Sequence, residues 1–285
     1  MLEARDVTYS VNGATLVANV HLAVPPGRVV ALIGPNGAGK STLLRILAGE
    51  MQPTRGTALL DGRELARFSA AELARHRAVV PQASALTFPF TVLEVAMLGV
   101  SVPGFETTSL HAKRAALDTL DAVGLRDLAG RLYVQLSGGE RQRVHIARAL
   151  SQLATAGRGL GHTRCLLLDE PTSSLDLAHQ SLVLAAVRRQ ASLGTAIVVV
   201  FHDLNLAAAL ADELVLLEGG RVMAAGRAGE VLRDDLLSAA YGCEVSTNRT
   251  PGDGKPFILP PAVFQELLRQ VRSGPDHRRQ RVAVA

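Results

Sequence analysis

Apolar and polar residues alternate in two runs near the start of the chain, ARDVTYSV from Ala4 and ATLVANVHLAV from Ala14. A period of two predicts half-buried β-strands. A Pro25–Pro26–Gly27 break ends the second run, and RVVALIG follows as a continuous apolar stretch closed by glycine. Such a stretch fits a parallel strand buried on both faces. TRCLLLDE and TAIVVVFHD repeat that pattern, and STLLRILAG, SLVLAAVRRQASL and LNLAAALADE alternate with the strands at helical period. Strands alternating with helices predict an α/β domain with a mainly parallel sheet.

Between about residues 83 and 150 the strand pattern stops. FTVLEVAMLGV opens on a T-x-x-E capping box, Thr91 with Glu94, and SLHAKRAALDTLDAVGL is amphipathic. This segment reads as a helical insert, and it ends in LSGGERQRVHIARAL. There Ser137 and Glu140 form a second capping box, so a helix starts with Ser137 as its N-cap. Gly138 and Gly139 then weaken the turn that the cap strengthens. Bare N–H groups at a helix N-terminus attract an anion, and glycine lets an anion approach closely. Past residue 226, GEVLRDDLLSAAYG reads as helical, CEVSTNRTPGDGKPFILP as a short hairpin and PAVFQELLRQVRS as a last helix. Residues 272–285 read as a flexible basic tail.

Composition narrows the class. Of 285 residues 48% are hydrophobic and only 4% aromatic, with no Trp, so the core is aliphatic. The net charge of +4 is mild and partly confined to the tail, which gives no reason to expect nucleic acid. Cys165 and Cys243 are far apart without CxxC spacing, against a disulfide framework or zinc site and for a reducing compartment. The first residues lack the apolar core of a secretory signal. No apolar run nears the ~18 residues that a membrane span requires, which predicts a soluble chain.

Gly34–Pro35–Asn36–Gly37–Ala38–Gly39–Lys40–Ser41–Thr42 fits G-x-x-x-x-G-K-[ST], between a predicted strand and a predicted helix. In that setting backbone N–H groups cradle phosphate, Lys40 reaches the β and γ oxygens, and Ser41 can ligate Mg²⁺. The motif predicts a nucleoside triphosphate site. CLLLDE places Asp169 at a strand end beside that loop, where it can hold Mg²⁺. Glu170 next to it is the candidate to orient or deprotonate the attacking water. His202, between a strand and a helix, is placed to contact the γ-phosphate. Gln82, after VVP, is placed to touch Mg²⁺ or the lytic water, and Tyr9 to stack on adenine.

GPNGAGKST, Gln82, LSGGE, CLLLDE, SSLD and His202, in that order and with Tyr9 ahead of them, resemble the ATP-binding cassette (ABC) ATPases over roughly residues 1–245. The resemblance implies a P-loop NTPase: a RecA-like core, an N-terminal antiparallel β subdomain and a helical subdomain at about 83–150 bearing the LSGGE signature. A C-terminal extension would follow at 246–271. It also implies a homodimer with two ATP molecules sandwiched between copies. Ser137, Gly138 and Gly139 of one copy would then face ATP on the P-loop of the other, and Asp176 of SSLD would link the two sites.

A cassette of this kind that moves cargo borrows its membrane path, here two separate transmembrane permease subunits, with this chain docked peripherally on the cytoplasmic face of the bacterial inner membrane. A soluble cassette acting on ribosomes or DNA usually carries two cassettes or a long coiled coil, neither of which this sequence has. VVPQASALTFPFTVLEVAMLG, SQLATAGRGLGHTR, SSLDLAHQ and the LLSAAYGCEVS…GKPFILP ending resemble the ATP-binding subunits of hemin importers. These belong to the importer class that also handles ferric siderophores and vitamin B12. The resemblance implies heme as cargo, delivered by a periplasmic heme-binding protein, with a siderophore or vitamin B12 as alternatives.

Overall fold

A computed structural model describes residues 1–82, 88–100, 108–155 and 163–249. The hairpin expected over Cys243–Pro260 shows no strand in its described part, 243–249, and the rest lies outside the described residues. The last helix and the basic tail also lie outside them.

Two sheets carry the fold. Strands β1 (Leu2–Val11) and β2 (Ala14–Val24) pair antiparallel, as their alternation predicts, and β1 also pairs with β4 (Arg55–Leu60), which pairs with β5 (Arg63–Glu64). The second sheet is built on β3 (Val29–Ile33), β6 (Arg77–Val80), β7 (Cys165–Asp169), β8 (Ala196–Val200), β9 (Glu213–Glu218) and β10 (Arg221–Gly226), in the order β10-β9-β3-β8-β7-β6. Only the β9–β10 pair is antiparallel. Every residue of β3, β7 and β8 is buried. In β3, Val29, Ala31 and Ile33 join one core cluster while Val30 and Leu32 join another. Burial on both faces explains why these strands read as unbroken apolar runs.

Helix α1 (Lys40–Leu47) buries Leu43, Leu44, Ile46 and Leu47 beneath the antiparallel sheet. Helices α3 (Val92–Leu98), α4 (Ser109–Ala122) and α5 (Gly138–Thr155) pack on one another as the expected helical insert. Both capping boxes form: the Thr91 hydroxyl accepts the Glu94 N–H at 3.2 Å, and the Glu94 carboxylate accepts the Thr91 N–H at 2.7 Å. Helix α2 (Ala70–His76) has a third box at Ser69, which the periodicity had not revealed.

Helix α6 (Leu177–Ser192) starts earlier than its apolar period suggests because Asp176 caps it. Helix α7 (Leu204–Leu210) is shorter than LNLAAALADE implies. The chain leaves it at Ala211 because Asp212 is bound to β3: its N–H reaches the Val29 carbonyl at 2.8 Å and its carboxylate accepts the Val29 N–H at 2.8 Å. GEVLRDDLLSAAYG is two helices, α8 (Ala228–Val231) and α9 (Asp234–Tyr241), with a break at Leu232–Arg233.

Asp212 joins three elements, since Arg188 of α6 donates to its two oxygens at 2.8 and 2.9 Å. Burial pushes this carboxyl up, but the Arg188 hydrogen bonds, the Val29 N–H and the nearby guanidinium charges outweigh it and hold it below the usual carboxylate range. A depressed carboxyl stabilises the fold above the unfolded-state value and loses that contribution as pH falls through the folded-state value. Asp212→Ala leaves the partly buried Arg188 without this partner and costs about 2–4 kcal/mol near pH 7. In urea unfolding the gap to wild type should close as pH drops below about 4; a gap that does not change with pH would remove the ion pair from the account.

Candidate functional site

The parallel strands end together. Leu32 and Asp169 both pair with Val200, and Val80 pairs with Leu168. The residues that follow β3, β6, β7 and β8 therefore emerge along one edge, where ligands of open α/β sheets bind. Gly34 leaves β3 with φ 137°, and a Cβ there would lie 2.0 Å from the Leu217 carbonyl oxygen. Gly39 ends the loop with φ 93°, its Cβ position 2.4 Å from the Leu16 carbonyl oxygen. Both glycines are demanded by close backbone approach and a left-handed φ together.

Lys40 opens α1 and is buried, and its Nζ donates to the Gly34 and Pro35 carbonyls at 2.7 Å each. Burial lowers its pKa, opposed by the Glu170 and Asp169 carboxylates. Ser41 Oγ donates to Asp169 Oδ1 at 3.2 Å. Burial pushes the Asp169 carboxyl up; the Ser41 hydrogen bond opposes the shift and the Glu170 charge adds to it. Glu170 is buried and holds φ 50°, a left-handed conformation that costs a non-glycine residue about 1–2 kcal/mol. Its N–H reaches the Val200 carbonyl at 3.2 Å, and its Oε1 lies 2.6 Å from His202 Nε2. The fold thus holds Glu170 in a strained backbone conformation, with its carboxylate against an imidazole in the lining of the site.

A cavity of about 520 Å³ opens here, lined by residues 36–42 with Leu16, Gln82, Glu170 and His202. Its volume is within the range of small-molecule sites. Gly34 and Pro35 anchor the lining Lys40 through their carbonyls, and Asp169 accepts from Ser41, which also lines it. Tyr9 does not line it. That ring is half-buried against the core beneath the antiparallel sheet, and the neighbouring strand supplies Leu16 to the cavity instead.

Ser41 and Asp169 offer hard oxygens, the donors that Mg²⁺ prefers. Among the described residues there is no group of three or more His, Cys, Asp or Glu that could hold a metal. A divalent ion on this pair would complete its shell with phosphate and water oxygens, as Mg²⁺ does in phosphoryl-transfer sites. The donor set fits that ion.

LSGGE lies elsewhere. The Ser137 N–H donates to the Glu140 carboxylate at 2.7 Å, and the Glu140 N–H to the Ser137 hydroxyl at 3.3 Å. Ser137, Gly138, Gly139 and Asp176 line a second cavity of about 500 Å³, together with Glu140, Arg143, Ser174, Leu175 and His179. The two cavities share no lining residue. The two glycines have different causes. Gly138 has open space where a Cβ would stand, whereas at Gly139 a Cβ would sit 2.7 Å from the Ser174 carbonyl oxygen. Close packing requires Gly139, whereas nothing in the packing requires Gly138. Arg143, Leu16 and His179 had not been singled out from the sequence; the His179 signal was its spacing, three residues after a helix-capping Asp.

Residues 17–173 match the ABC transporter family, a span that holds the P-loop, LSGGE and CLLLDE segments. The chain belongs to the ABC transporter family. Its architecture is that of the P-loop ATPase cassettes, and its expected parallel core, antiparallel sheet and helical insert are all present. The hemin import ATP-binding protein HmuV of Chelativorans sp. (strain BNC1) is 44% identical over 261 residues, 91% of this chain and 98% of that one. A metal-chelate type ABC transporter in an inward-facing conformation is similar with a TM-score of 0.69 and 28% identity, over 85% of this chain and 89% of that chain. The bacterial ABC transporter cassette MJ0796, solved as a dimer, gives a TM-score of 0.70 and 28% identity over 80% of this chain and 99% of that chain. ABC cassettes bind ATP, and in importers they work as dimers with transmembrane subunits.

Gly138→Ala and Gly139→Ala should behave differently. Alanine at Gly138 meets nothing and gains helix propensity, so thermal unfolding should show about 0.5–1 kcal/mol of added stability. If this helix start meets a phosphate, as its N–H groups allow, ATP hydrolysis should nonetheless fall, because the methyl group would narrow that approach. Gly139→Ala should lose stability through its clash with Ser174. Equal stability changes in the two variants would contradict this division.

Proposed function

We propose that the chain is the ATP-hydrolysing subunit of a bacterial heme importer, with each ATP held between two copies of the chain. The separation of the P-loop cavity from the signature cavity carries the dimeric reading, since neither cavity holds the full set of motif residues. Ser137, Gly138 and Gly139 of one copy would face the γ-phosphate on the partner's P-loop, acting in trans. Asp176, at the start of α6, would connect the sites.

The residues divide the chemistry. Backbone N–H groups of residues 36–42 and the Lys40 ammonium hold the phosphates. Ser41 and Asp169, with Gln82 beside them, would hold Mg²⁺, which when bound neutralises charge on the phosphate oxygens. The Glu170 carboxylate takes the proton of the attacking water, and His202, 2.6 Å from it, orients that carboxylate and faces the γ-phosphate. Tyr9, outside this cavity, is proposed to stack on adenine where the base would extend beyond the phosphate site along the antiparallel sheet. ATP closes the pair because it bridges two surfaces that lack a ligand in common, and loss of the γ-phosphate removes the bridge.

Residues 1–245 are proposed as the ATPase domain, with helical subdomain at about 83–150, extension at 246–271 and basic tail at 272–285. No helix among the described residues is long and apolar enough to cross a membrane. The path for cargo is assigned to two transmembrane permease subunits, on which this chain would dock at the cytoplasmic face of the inner membrane. Phe88, Leu98 and Leu110 of the helical insert are 65, 45 and 76% exposed, apolar side chains available for docking on such subunits. Heme as cargo, passed on by a periplasmic heme-binding protein, is supported by the hemin-import relatives that match this chain almost end to end.

A strain lacking this gene, grown on hemin, a ferric siderophore or inorganic iron as sole iron source, tests the assignment. Growth should fail on hemin alone and return with the wild-type gene but not with Lys40→Ala. Failure on a siderophore with normal growth on hemin would replace the cargo.

A further inference from the structure

His179 lies one turn into α6, just behind the capping Asp176. Asp176 Oδ1 accepts the His179 backbone N–H at 2.9 Å, the ordinary N-cap bond. The same oxygen lies 2.8 Å from His179 Nδ1, a contact that helix capping does not require. The backbone N–H, followed by the ring contact, holds the Asp176 carboxyl below its usual range. The carboxylate is therefore ionised and acts only as an acceptor, which makes Nδ1 the ring's donor.

Both side chains line the cavity of Ser137, Gly138 and Gly139, with Arg143 and Glu140 of α5 as its other charged groups. Asp176 is 66% exposed and His179 37%. An exposed pair three residues apart on a helix contributes little to stability. It does, however, fix the rotamer of a carboxylate that would otherwise have to be ordered when two surfaces meet.

We propose that His179 is a positioning residue for the nucleotide site completed in trans: its Nδ1–H holds the Asp176 carboxylate in the orientation that meets the partner's P-loop. This rests on the reading that the signature face of one copy meets the P-loop of the other. His179 acts through Asp176 and does not touch the reacting atoms.

The test uses the position of one nitrogen. Asparagine places its amide nitrogen near the Nδ1 position, whereas glutamine carries its own one bond farther out. In a Glu170→Gln background, so that bound ATP persists, ATP-dependent dimerisation is measured by sedimentation for His179→Ala, His179→Gln and His179→Asn. ATP affinity is measured separately on dilute monomer. Ala and Gln should weaken dimerisation about tenfold, and Asn should restore it to within about threefold of the parent. Monomer affinity should stay within about twofold throughout, a split that general damage to the fold would not give. Gln performing as well as Asn would overturn the proposal. So would parental dimerisation by all three while Ser137→Arg abolishes it, and in that case the trans reading would survive. Normal dimerisation of Ser137→Arg would instead overturn the trans reading and this inference with it.

Discussion

A phosphate can be held by main chain only where N–H groups are left bare, and this chain leaves them bare at two helix starts far apart in sequence. At α1 the loop of residues 34–39 turns through left-handed glycines, and the Lys40 ammonium is tied to the Gly34 and Pro35 carbonyls. At α5 the first turn is glycine, and the Ser137–Glu140 box holds the helix in place without covering its end. The helix-terminus attraction for an anion reaches up to ~2 kcal/mol in favourable geometry. The cavities around the two starts have no lining residue in common, and the proposed sandwich of two copies rests on that separation.

The sheet supplies what backbone cannot. Its central strands β3, β7 and β8 are aliphatic and buried on both faces, and β7 and β8 deliver Asp169, Glu170 and His202 to one edge at matched levels. Gathering such groups in low dielectric is costly. The molecule offsets that cost by pairing: Ser41 with Asp169, Glu170 with His202, and Lys40 with two carbonyls and two nearby carboxylates. The left-handed Glu170 is tolerated because its N–H is bound to Val200 and its neighbours are fixed in the sheet. Farther out, Asp212 binds β3 to α6 and so steadies the strand from which the P-loop departs.

Much of this was legible in the sequence, for physical reasons. The buried strands are readable because double burial leaves no polar positions, and the P-loop because its chemistry needs glycine, lysine and a hydroxyl at fixed spacing. The Thr91 and Ser137 boxes are readable because the capping partners lie three residues apart. Other features depend on distant partners. ELVLLE was missed as strand β9 because Asp212, which ends α7, is defined only by its bonds to Val29 and Arg188. The need for Gly139 comes from a carbonyl 35 residues away, that of Ser174. Leu16 enters the nucleotide cavity through the pairing of β1 and β2, and no local pattern marks it.

If each ATP site is built from two copies of the chain, two inactive variants spoiled on opposite faces should restore each other on mixing. Lys40→Ala spoils a P-loop and keeps a signature; Ser137→Arg keeps a P-loop and spoils a signature. Each variant alone should hydrolyse ATP at background rate. In a mixture, half of randomly paired dimers would carry one intact composite site, so up to about a quarter of wild-type hydrolysis should return. A mixture that stays at background while both variants fold and form mixed pairs would contradict the account.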